Sequence, residues 1–80
     1  MGASTKSFHS EVYDRFLDRL LRARLDARLT QAEVARRLSR PQSFVSKCES
    51  GQRRVDVIEL VEFAALYGKR LEFFVSKIVK

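Results

Sequence analysis

Apolar positions recur at three- and four-residue steps along most of the chain, with only short interruptions between the runs. Tyr13, Phe16, Leu17, Leu20 and Leu21, closed by Arg24, form one stripe and predict a first helix from about Ser10 to Ala27, capped by Ser10. Ala32, Val34, Ala35 and Leu38 mark a second, from Gln31 to Leu38. Thr30 and Glu33 stand where a capping box needs them: the hydroxyl accepts the Glu33 N–H, and the carboxylate accepts the Thr30 N–H. A third run, Gln42 to Glu49, keeps only Val45, Cys48 and a half-turned Phe44 apolar. Ser39, Arg40 and Pro41 alone separate these two runs. Pro41 has its φ preset for a helix start and forces Arg40 to be extended. So short a joint fixes one helix against the other, and the third then presents a polar face outward.

Gly51 can close the third helix in the left-handed conformation, and Asp56 with Glu59 repeats the capping-box signal. A fourth helix follows to Tyr67 and stops at Gly68. Its stripe Val57, Leu60, Val61, Ala64 and Tyr67 is enough to cover a core. Leu71, Phe74, Val75 and Ile78 have helical spacing and predict a fifth helix from about Leu71. The alternation of Leu71, Phe73 and Val75 also suits a strand. The architecture expected is all-α, a compact five-helix bundle. Residues 1–9 read as a flexible tail, and residues 10–80 as one helix–turn–helix domain ending in a dimerisation segment.

Composition narrows the function. Eighty residues with 45% hydrophobic and 32% charged positions suit one small globular domain. No apolar run approaches the roughly 20 residues needed to span a bilayer, and no signal peptide is visible, so a cytoplasmic protein is expected. A single cysteine offers neither an intrachain disulfide nor a metal cluster. The net charge of +6 is unevenly spread. Residues 31–54 hold six basic and two acidic groups, whereas residues 55–80 hold four of each. Gathered on one face, the central excess is an electrostatic footprint for phosphates.

Catalytic chemistry has little to work with. His9 lies in the tail without a partner carboxylate or thiol, Cys48 lies on the inward side of its helix, and Gly2, Gly51 and Gly68 form no phosphate-cradling loop. No enzyme, cofactor, metal or small-molecule substrate is expected. Nucleic-acid recognition fits better: Gln42, Ser43, Ser46 and Lys47 face outward on the third helix, where Gln can pair with adenine and Lys can donate to guanine in a major groove.

The segments LTQAEVARRL, SFVSKCESG and VIELVEFAALYG, in that order and spacing, resemble the helix–turn–helix domain of the lambda-repressor/Cro-type (XRE) transcriptional regulators. The resemblance covers Leu25 to about Val75 and implies a five-helix bundle that binds double-stranded DNA as a homodimer. By it, Gln42, Ser43 and Lys47 stand where bases are read. Gln31, Arg40, Ser46, Arg53 and Arg54 stand where the DNA backbone is contacted, with an arginine of the last two entering the minor groove. Arg24 and Glu49 match a buried ion pair tying the first helix to the end of the recognition helix. Arg28 and Ser39 occupy places where the family commonly has glycine, and so imply left-handed turns. The expected role is a repressor acting on a near-palindromic operator, with a protein-interaction module or antitoxin-like partner-binding protein as the alternative.

The dimer expectation also has a footing in the residues. With the fourth-helix stripe assigned to the core, Ile58, Phe63 and Leu66 are additional apolar surface, joined by Phe73, Phe74 or Val79. Monomers rarely expose so large a patch, and the neutral C-terminal third brings little repulsion when two copies meet.

Overall fold

A computed structural model describes residues 10–79. The expected tail of residues 1–9, including His9, lies outside the described residues, as does Lys80. Helices α1 (Glu11–Asp26), α2 (Gln31–Leu38), α3 (Gln42–Ser50), α4 (Val57–Tyr67) and α5 (Leu71–Val75) follow in order, with no strand among the described residues.

Local chemistry sets each boundary. The Ser10 hydroxyl accepts the Tyr13 N–H at 3.2 Å and opens α1. Arg28, at φ 60°, turns the chain after α1, and Thr30 with Glu33 caps α2 in both directions. Ser39, at φ 57°, closes α2, and the Arg40 N–H then reaches the Ala35 carbonyl at 2.9 Å. Pro41 is extended and α3 begins at the next residue. Gly51, Asp56 with Glu59, and Gly68 end α3, open α4 and close α4.

Leu20 and Ala23 of α1, Val34 of α2, Val45 and Cys48 of α3, Phe63 of α4 and Phe74 of α5 are fully buried. Phe44 joins them from α3 and stacks on Phe63, whose ring stacks in turn on Tyr67. The joint thus packs α2 on α3, and α1 packs against α3, α4 and α5.

Several expectations change here. On α1 the inward arc runs through Phe16, Leu20 and Ala23, leaving Leu21 exposed. On α4 the buried residues are Glu59, Phe63, Ala64 and Tyr67, with Leu60 partly buried, an arc rotated from the expected stripe, while Val57 and Val61 are exposed. The reason is size: an aromatic side chain buries more area than a valine, so Phe63 takes the core position. Phe63 and Phe74 are both 0% exposed and are therefore core residues, not the dimer surface expected of them. The C-terminal segment is a helix, shorter than its stripe. It ends at Ser76, and Ile78 packs on the core from beyond it. No side chain caps α5 at Arg70. Its other end is held instead by α1: the Arg19 Nη1 donates to the Phe73 carbonyl and the Arg15 Nη1 to the Ile78 carbonyl, both at 2.7 Å.

Candidate nucleic-acid interface

The outward face of α3 carries Gln42, Ser43, Ser46 and Lys47, all exposed, while Phe44, Val45 and Cys48 anchor the helix from within. The exposed set recurs at steps of one and four, so it forms one continuous polar strip. Burial pushes the Cys48 thiol up from its ordinary range, which keeps it protonated and chemically inert.

Two arginine–glutamate forks lie on the C-terminal side of this helix, one in its last turn and one across the loop that follows. At its C-terminal end, the Arg24 Nε donates to Glu49 Oε2 at 2.6 Å and its Nη2 to Oε1 at 3.1 Å. The Arg24 Nη1 also donates to the Leu29 carbonyl, so the same guanidinium pins the turn between α1 and α2. Hydrogen bonding to Glu49 holds the Arg24 pKa above its ordinary value, against the opposing effect of burial. Gln31 is drawn into this network, its Nε2 donating to Glu49 Oε1 at 2.9 Å. Its side-chain amide therefore faces the fold, and its place at the first residue of α2 leaves the backbone N–H as the group suited to a phosphate.

The second fork lies beyond α3. The Arg53 Nη1 and Nη2 donate to Glu59 Oε1 and Oε2 at 2.7 and 2.8 Å. Glu59 accepts the Asp56 N–H as well, completing the α4 capping box. Its carboxyl is held below the ordinary glutamate range, first by the Arg53 hydrogen bonds and also by the Asp56 N–H, while burial opposes them. The guanidinium carbons of Arg53 and Arg40 lie 4.9 and 4.3 Å from the centre of the Phe44 ring. Arg54, the remaining arginine of the loop, lies over the Tyr13 ring at 4.4 Å, and the Tyr13 hydroxyl accepts the Val55 N–H. Arg54 thus leans toward α1, beside a cavity of about 270 Å³ lined by Val12, Phe16, Leu60 and Ile78 among others.

The structure therefore brings Gln42, Ser43, Ser46 and Lys47 together, with Arg40 at the start of their helix. It turns Gln31, Arg53 and Arg54 toward partners within the fold. A family model described as a helix-turn-helix domain matches residues 15–69. Among solved structures, the chain is similar to an XRE-family like protein from Pseudomonas syringae pv. tomato str. DC3000. The identity is 48% over 94% of this chain and 92% of that chain, with a TM-score of 0.80. The chain belongs to the XRE-type helix–turn–helix family. No curated protein matches it.

In this XRE domain, a family of DNA-binding regulators, the residue missed by reading the sequence is Glu59. The capping-box pattern explained it completely, so nothing pointed to its second duty as the acceptor for Arg53. A carboxylate six residues from an arginine, across a loop, has no periodic signature. Phe44, a half-turned apolar position in the sequence, is buried and is the ring on which two arginines rest. No described helix is long and apolar enough to cross a membrane.

Proposed function

We propose that this XRE-type protein is a sequence-specific DNA-binding repressor that works as a homodimer on a near-palindromic site. The observation that carries the reading is the division of α3: a continuous strip of Gln42, Ser43, Ser46 and Lys47 outside, and a fully anchored Val45 and Cys48 inside. A helix held so firmly, with short hydrogen-bonding side chains outward, suits the major groove. Gln42, Ser43 and Lys47 read base edges. Ser46, Arg40 and the α2 N-terminus at Gln31 meet the phosphates. No cofactor or small-molecule substrate enters this mechanism.

The apolar surface supports the dimer. Val57, Ile58 and Val61 lie exposed along α4, and Leu71 and Val75 along α5. Val57 and Val75 line the same cavity, so the two exposed stretches are continuous. Of the residues expected at the interface, Ile58 is 67% exposed and Leu66 and Phe73 are half-buried, so these three stay candidates, joined by Val57 and Val61. A two-fold pairing through this face sets the α3 helices about one DNA turn apart, roughly 34 Å.

Selection of bound sites from a random duplex pool tests the reading. An enriched near-palindrome is expected. A pool without an enriched motif overturns it and favours a module that uses the α4–α5 face to hold another protein. Sedimentation at micromolar concentration tests the dimer. The expected species has twice the 9.3 kDa chain mass, and Ile58→Lys reduces it to the monomer. A single 9.3 kDa species that still binds an asymmetric site one-to-one contradicts it.

A further inference from the structure

The two arginines expected to grip the DNA backbone from either side of α3, Arg40 and Arg53, converge on one buried carboxylate, and they do so unequally. Three of the five N–H groups of Arg53 are engaged inside the fold: two on Glu59, and one on the Arg54 carbonyl at 2.9 Å. The forked edge that a phosphate would take is already occupied by a carboxylate. Pulling Arg53 onto DNA would break both of its bonds to Glu59, a residue only 6% exposed, and leave that carboxylate the Asp56 N–H and Arg40 at 3.8 Å as partners, which is costly. Arg40 is differently placed. It approaches Glu59 at 3.8 Å and Glu62 at 4.0 Å, both beyond hydrogen-bond length, while the Phe44 ring supports its flat face. Its N–H edges stay available beside the start of α3.

We propose that Glu59 is a positioning residue for DNA binding: it withholds Arg53 from the phosphates and leaves Arg40 as the backbone contact at this corner. The inference rests on the DNA-binding reading. Its consequence is for specificity. A loop arginine free to seek phosphates would raise affinity for every duplex alike, and sequestering it leaves discrimination to the α3 strip. Glu59 thereby lowers the positive charge offered to non-cognate DNA without lowering the number of base contacts.

The slope of log K against log salt, measured with a labelled duplex of random sequence, decides the matter, because each phosphate contact contributes about 0.9 to it. Thermal melts of the same full-length variants show which of them fold. Arg40→Ala should flatten the slope by about 0.9, whereas Arg53→Ala should leave it unchanged while lowering Tm. Glu59→Gln should steepen the slope by about 0.9, as Arg53 is released, and raise affinity for the random duplex. If Glu59→Gln does not fold, the contrast between the two arginine variants still decides. A flattened slope with Arg53→Ala, and none with Arg40→Ala, overturns the inference and leaves DNA binding intact. A wild-type protein without salt-dependent duplex binding removes the DNA reading itself, and the inference with it.

Discussion

The two arginine–glutamate forks use the same chemistry on carboxylates buried to the same depth, yet their cations stand in different surroundings. Glu49 and Glu59 both have side chains 8% exposed, whereas Arg24 is 13% exposed and Arg53 is 42% exposed. The inner fork joins α1, the turn before α2 and the end of α3, so breaking it leaves a charge with no water to receive it. The outer fork joins a surface loop to the first turn of α4, and its arginine is already half in solvent. The same pair thus acts as a structural tie in one place and as a device for managing surface charge in the other. Counting ion pairs would have scored them alike.

The largest expected effect separates them. Arg24→Ala or Glu49→Ala should each destabilise the fold by roughly 3 kcal/mol, because each strands a buried partner. In the same denaturant titrations Arg53→Ala should shift the midpoint distinctly less. Equal midpoints for Arg24→Ala and Arg53→Ala would erase the distinction between the forks.

A smaller effect follows from acid. An unfolded Glu59 titrates near its ordinary 4.5, and the folded one below it. Its stabilising contribution is therefore complete above about pH 4.5 and is lost as the pH falls through the lowered folded value. Glu33 shifts in the same direction through its bonds to Thr30, so the comparison needs a variant that isolates Glu59. The Tm difference between wild type and Glu59→Gln should be greatest near pH 7 and should shrink steadily below pH 4.5. A difference that does not change with pH would mean that the outer fork contributes packing and no charge pairing.

The smallest effect concerns the turns that aim the forks. Arg28 and Ser39 are exposed and sit at φ 60° and 57°, where a side chain costs energy that glycine avoids. Arg28→Gly and Ser39→Gly should each stabilise the domain by about 0.5–1 kcal/mol in urea titrations, less whatever glycine adds to the freedom of the unfolded chain. A loss of stability would show that these side chains hold the turns by contacts of their own.

How far this could be read beforehand depended on whether the signal was local. The helix order, both capping boxes, the left-handed turns and the inward Cys48 all follow from residues within a few positions of one another, or from the resemblance to XRE regulators. So does the outward strip of α3. The face of α4 was harder. Apolar residues surround that helix, and which of them turns inward depends on Phe44 and Tyr67 stacking against Phe63, contacts that periodicity does not encode. That is why Phe63 was expected outside and Val57 inside. The fate of Arg53 was hidden for a related reason: in sequence it is simply one more cation in a basic loop. Only the folded arrangement shows a carboxylate already waiting for it.

We propose that the exposed strip of α3 reads base edges while the inner fork keeps its last turn in place. It is tested most directly by measuring Gln42→Ala on the duplex recovered by selection and on a scrambled duplex of the same length. A loss of about 1–3 kcal/mol is expected on the selected duplex, traceable to one base pair, with an unchanged affinity for the scrambled one. Equal losses on both duplexes would contradict it, and would make α3 a phosphate-binding surface with no reading function.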